Sequence, residues 1–109
     1  MIAVLALAGL ATIAEAHAML DHASPAVGTS VSGSPSVIRM WFTEALEPHF
    51  SGAEVTGPSG NHIGGGASAS GNQLSVSVPH LAPGTYCVHW HVISVDTHKT
   101  EGSFTFEVK

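Results

Sequence analysis

Residues 85–95 read TYCVHWHVISV, the longest stretch of the chain that is rich in β-branched and aromatic residues. Val88, Trp90 and Val92 alternate with His89 and His91. That period of two belongs to a strand with one buried face, since successive side chains of a strand point to opposite sides. The pattern continues outward in both directions. Downstream, Phe104, Phe106 and Val108 alternate with Thr105 and Glu107 over Ser103–Val108. Upstream, Leu74, Val76 and Val78 share one face of Gln73–Val78, Ile38, Met40 and Phe42 one face of Val37–Phe42, and Ala53–Thr56 is a shorter candidate. Helix-period patterns are absent from this part of the chain. Short strands separated by Gly, Ser, Pro and Asn clusters predict an all-β sandwich or barrel in a single domain.

The connections read as turns rather than domain joints. PAVGTSVSGSP (residues 25–35) and HLAPGTY (80–86) carry turn chemistry, and GPSGNHIGGGASASGN (57–72) reads as a long mobile surface loop. LAPGTY matches the corner that ties a tyrosine back onto a preceding loop in Greek-key sandwiches. Tyr86 is accordingly assigned a structural role.

Composition narrows the function. The three Lys plus Arg against eight Asp plus Glu leave no nucleic-acid footprint. Cys87 is the single cysteine, so neither a disulfide framework nor a thiolate metal centre is expected. Charged residues make up only 10% of the chain, yet eight residues are histidines, and histidine is the commonest metal ligand. No G-x-S-x-G or H-E-x-x-H motif points to a hydrolase.

Residues Ile2–Ile13 are nearly all apolar, too short a run for a spanning helix, which needs about 20 residues. Followed by Ala14-Glu15-Ala16, they suit a secretory signal over residues 1–16, although no Lys or Arg precedes them. The alternative is a buried N-terminal strand or helix. Cleavage after Ala16 makes His17 the first residue of a domain spanning 17–109 and gives one metal ion both an amine and an imidazole. SVDTHKTEG (residues 94–102) supplies a second half-set, because Asp96 and His98 stand two apart and project to one side of an extended segment. Three nitrogens and one oxygen in a plane suit Cu(II), which prefers tetragonal N,O surroundings.

HAMLDHASPAVGTSV (residues 17–31), VIRMWFTEALEP (37–48) and LAPGTYCVHWHVISVDTHKTEGSFTFEV (81–108) together resemble the CopC family of periplasmic copper-binding proteins, across essentially the whole chain after residue 16. The resemblance implies a Greek-key β-barrel or sandwich of seven to nine strands, of immunoglobulin-like or cupredoxin-like form. It implies a Cu(II) site built from His17, Asp96 and His98, with Glu44 as an outer-shell group. It also implies a monomeric, non-enzymatic periplasmic carrier or buffer in copper resistance or homeostasis, with an inner-membrane copper transporter as a partner.

The sequence departs from the family pattern in two places. Some members add a Cu(I) site from a methionine-rich segment, since thioethers suit soft Cu(I). MWFTEALEPHFSG (residues 40–52) offers only Met40 and His49, and Met40 is expected in the core. His89 and His91 share one strand face and could hold a metal together, but are read as surface residues opposite a buried Trp90. His22 either lies near the site or faces solvent, and His62 and His80 are expected in solvated loops. Two other classes remain open from the residues alone. One is an oxidative enzyme, because a terminal histidine plus a second histidine also forms the copper brace of lytic polysaccharide monooxygenases. The other is a docking module for a membrane copper transporter.

Overall fold

The computed structural model describes residues 18–109. The described strands are β1 (Leu20–Ser24), β2 (Ser30–Val31), β3 (Val37–Phe42), β4 (Gly52–Thr56), β5 (His62–Ile63), β6 (Ala67–Ser70), β7 (Gln73–Ser77), β8 (Gly84–Ile93) and β9 (Lys99–Val108). They form two sheets, a four-stranded one in the order β1-β3-β7-β6 and a five-stranded one in the order β2-β9-β8-β4-β5. All pairings are antiparallel except the short parallel contact of β2 with β9. The chain passes back and forth between the sheets, which remain open and face each other as a sandwich. Of the two expected forms, sandwich and closed barrel, the molecule takes the first.

The alternation in the sequence builds the core directly. Ile38, Met40, Phe42, Leu74 and Val76 point inward from the four-stranded sheet. Val55, Tyr86, Val88, Trp90, Val92, Phe104, Phe106 and Val108 point inward from the other. Phe42 and Trp90 meet edge to face across the interior at 5.1 Å. Gly102 is required here, because a Cβ at that position would stand 2.5 Å from the Trp90 ring. Tyr86 donates its hydroxyl to the Ala82 carbonyl at 2.6 Å, the expected corner.

Several expectations are corrected. Residues 57–72 are not one mobile loop. They contain β5, which pairs with β4, and β6, which pairs with β7. His62 therefore sits on a strand, though exposed. Neither short segment carries an apolar alternation strong enough to read, since Ala and Ser are small and weakly patterned. β1 escapes the same test, because of its residues only Ala23 is buried. β9 starts four residues earlier than the apolar pattern, at Lys99, because cross-strand hydrogen bonding to β8 continues past the last core side chain.

Candidate metal centre

β8 ends at Ile93, and the chain turns back into β9 through Ser94–His98. Asp96 and His98 lie in this turn, not in an extended segment. Thr97 has φ +72°, in the left-handed region, and its N–H donates to the Ser94 carbonyl at 2.8 Å. The reversal at Thr97, rather than strand periodicity, brings the two side chains together. His98 Nδ1 stands 3.3 Å from Asp96 Oδ2. Two donors bound to one ion by bonds of about 2.0–2.1 Å lie about 2.9 Å apart at a right angle and about 3.4 Å apart at a tetrahedral one. The observed gap falls in that range, and both side chains are about half exposed, at 48% for His98 and 47% for Asp96.

Ser94 fixes the carboxylate. Its side chain is fully buried, its hydroxyl donates to Asp96 Oδ1, and its N–H donates to the His98 carbonyl at 2.9 Å. The Ser94 hydrogen bond, seconded by the His98 imidazole, holds the Asp96 carboxyl below the usual carboxylate range, against the opposing effect of desolvation. Asp96 is thus kept as an anion with one oxygen oriented by Ser94 and the other facing His98.

The loop carrying Glu44 is stitched to the same end. Val95 N–H donates to Ala45 O at 3.0 Å, and Glu47 N–H to Ile93 O at 2.8 Å. On its other side, Thr43 N–H donates to Met19 O at 2.9 Å, while Met19 N–H donates to Thr43 Oγ1 at the same distance. Ala18 is fully buried, and its carbonyl accepts from Thr100 Oγ1 at 2.7 Å. The start of the described chain is therefore clamped between Thr43, next to Glu44, and Thr100, two residues after His98. His17 itself lies outside the described residues, as does the expected signal segment. Among the described residues no three His, Cys, Asp or Glu side chains converge on one point, so Glu44 does not close a three-ligand set with Asp96 and His98.

Sequence reasoning missed Ser94, Thr43 and Thr100. Ser94 was legible in principle as the inward residue of Ser-x-Asp, whereas the two threonines act through contacts 24 and 82 residues apart in the chain. The other expected residues fall elsewhere. Met40 is fully buried in the core. His22 is exposed, bonds Asp21 Oδ2 through Nδ1 at 2.7 Å and stacks on Trp41 at 4.5 Å. A hollow of about 660 Å³ lies at the far end of β8 around Tyr86, His62 and His80. It has no part in the Asp96–His98 turn.

A CopC domain model matches residues 20–109. The chain is similar to Protein YobA of Escherichia coli K12, with 44% identity over 99 residues that cover 86% of this chain and 80% of that protein. It is similar to Copper resistance protein C of Xanthomonas campestris pv. juglandis, with 39% identity over 104 residues covering 86% and 81%. The crystal structure of CopC from Methylosinus trichosporium OB3b superposes with a TM-score of 0.81 at 31% identity, covering 85% of this chain and 94% of that one. The domain match, these relatives and the shared two-sheet fold place the chain in the CopC family of copper resistance proteins.

Proposed function

We propose that the protein binds one Cu(II) ion through the amine and imidazole of His17, the His98 imidazole and the Asp96 carboxylate, and serves as a periplasmic copper carrier or buffer. The observation that carries this reading is the clamp on Ala18 and Met19. One peptide unit, about 3.8 Å between Cα atoms, separates position 17 from Ala18, whose carbonyl is bonded to Thr100. The donor set fits the ion. Imidazole, amine and carboxylate suit a tetragonal divalent ion, and copper heads the divalent affinity order. Removal of residues 1–16 is part of the proposal, because only a free His17 amine offers a nitrogen lone pair.

As a member of a family of copper resistance proteins the chain is not an enzyme. Copper is its cargo. An anionic oxygen at Asp96 favours the higher charge of Cu(II), and Met40, sealed in the core, offers no thioether for Cu(I). Reduction then loosens the ion for delivery to an inner-membrane transporter. Glu44 acts from outside the ligand set, on the loop that joins Met19 to Val95.

The test is titration of the chain beginning at His17 with Cu(II), followed by electron paramagnetic resonance. One tetragonal signal with nitrogen couplings at the first equivalent is expected. Absence of stoichiometric binding overturns the reading.

A further inference from the structure

The outer face of the five-stranded sheet carries a second group of side chains of metal-ligating types, distinct from His17, Asp96 and His98. Because β8 alternates, Cys87, His89 and His91 all leave by the face opposite the core, and none of them is buried. The antiparallel register sets His91 opposite Glu101 on β9 and His89 opposite Ser103. On the other flank, β4 sets Gly52 opposite His91 and Glu54 opposite His89.

Two side chains of this group already stand at ligand spacing, and a third would have to turn to join them. His89 Nε2 stands 3.1 Å from Glu101 Oε1, with side-chain exposures of 41% and 62%. That gap lies within the roughly 2.9–3.4 Å that separates two donors on one ion with bonds of about 2.0–2.1 Å. The opposite ring nitrogen, Nδ1, is 3.0 Å from Ser103 Oγ. A metal-bound histidine normally gives its second ring N–H to an oxygen acceptor, which sets the tautomer and ring direction. Ser103 Oγ can accept that N–H in the tautomer that leaves Nε2 to bind an ion beside the Glu101 carboxylate.

His91 is the third candidate, and as placed its ring is turned toward Gly52. Residues two apart on a strand are separated by about 6.7 Å along it, a gap that two imidazoles and one ion span. The ring lies over Gly52, where a Cβ would come within 3.0 Å of its Cε1 and 3.1 Å of its Nε2. A side chain at position 52 would crowd this ring. To reach Glu101, its cross-strand partner, the half-buried imidazole has to leave Gly52 by a change of rotamer.

We propose that His89, Glu101 and His91 form a second, exposed and exchange-labile site for a divalent transition-metal ion, with Ser103 orienting His89. The ion binds between His89 Nε2 and Glu101 Oε1, and His91 swings from Gly52 to become the third ligand. Two imidazoles and a carboxylate suit Cu(II) and Zn(II). Solvent exposure makes this site weaker than one ringed by buried donors. It gives the protein capacity for a second ion without any use of His17.

The experiment uses the 109-residue chain, in which the second site needs no cleavage. Histidine Hε1 resonances are followed by NMR during addition of copper(II) sulfate, and separately of zinc chloride. The expected result is selective broadening by copper of the His89 and His91 signals, with saturable shifts by zinc. His98→Ala leaves these responses intact. Glu101→Gln and His89→Gln weaken the zinc response at least tenfold, and Ser103→Ala by about tenfold. Retained strand amide shifts in each variant show that the sheet persists. If His89 and His91 do not respond, or respond equally in Glu101→Gln, the three residues are only an ion pair and a neighbouring histidine, and the proposal fails. Neither result touches the reading of His17, Asp96 and His98.

Discussion

His98 Nδ1 faces Asp96 Oδ2 at 3.3 Å across a single residue, Thr97, whose backbone is left-handed at φ +72°. A strand would have set the two side chains parallel on one face, about 6.7 Å apart along its axis. The turn folds them onto one another, and the fully buried Ser94 holds the turn from inside. The distance between the donors is therefore a property of five residues, Ser94–His98, and not of the sandwich as a whole.

At the first equivalent of Cu(II), the variants should rank by what each removes. His98→Ala deletes a nitrogen donor and weakens binding more than about 100-fold, beyond the range typical of an outer-shell partner. Asp96→Asn keeps the shape, removes the charge and weakens binding by an intermediate amount. His89→Ala and His91→Ala leave this first equivalent unchanged. Competition titration against a chelator of known affinity gives the order. A first equivalent lost in His89→Ala moves the principal centre onto β8 and discards the Asp96–His98 assignment.

Thr97 is β-branched and adopts a conformation that such residues rarely hold, at a cost of about 1–3 kcal/mol. Thr97→Gly removes that strain and loses part of the gain through a more flexible unfolded chain. The expected net effect is stabilisation of about 1 kcal/mol, read by urea unfolding. The looser turn should at the same time weaken copper binding. Stabilisation without weakened binding would show that the left-handed residue is not what holds the ligands in place.

Ser94 helps to keep the Asp96 carboxylate ionised in acid. The Asp96 carboxyl is held low, first by the Ser94 hydrogen bond and then by His98. Its folded pKa lies below its unfolded value of about 3.9. The stabilisation it provides is thus present above that unfolded value, and is lost as pH falls through the lower folded one. Protons compete with copper for the same carboxylate. Ser94→Ala should raise the Asp96 pKa toward the ordinary value and move acid release of copper to higher pH, by less than the Asp96 shift because the His17 amine and the imidazoles take up protons in the same step. Carboxyl carbon NMR of the metal-free protein and an acid titration of the copper-loaded protein measure the two shifts. An unmoved Asp96 titration would remove Ser94 from this role.

What the sequence made legible follows from where its patterning is strong. β3, β7, β8 and the end of β9 alternate large apolar with polar residues, and each lies where the pattern put it. β5 and β6 are built from small or mixed residues whose pairing is dictated by neighbouring strands, so a Gly- and Ser-rich stretch read as a loop. The pairing of Asp96 with His98 was foreseen from their spacing, but by the wrong local geometry. Nothing in Ser-Val-Asp-Thr-His announces a left-handed threonine, which most sequences would place at glycine or asparagine. The clamp of Thr43 and Thr100 on Met19 and Ala18 could not be read at all, because hydrogen bonds between distant segments leave no periodic trace.

That clamp gives the most direct test of how the N-terminal segment is presented. Thr100 Oγ1 donates to the Ala18 carbonyl at 2.7 Å, and Ala18 has no exposed surface. Thr100→Val replaces the hydroxyl by a methyl of nearly equal size, so the β8–β9 pairing survives. The Ala18 carbonyl is left without this donor, at a cost of about 1–3 kcal/mol if it stays buried. The segment then gains freedom, and His17 reaches the Asp96–His98 turn less often. Copper affinity of the chain beginning at His17 should fall about tenfold or more, with the spectrum of the bound ion unchanged. In the chain that keeps residues 1–16, the His17 nitrogen is already locked in a peptide bond and cannot act as an amine ligand. Binding there should be much weaker from the start, and Thr100→Val should change it little. Isothermal titration of the two chains, each with and without the substitution, forms a double-mutant cycle between the free amine and Thr100. A coupling close to zero would mean that Thr100 only packs the sandwich and has no part in presenting His17.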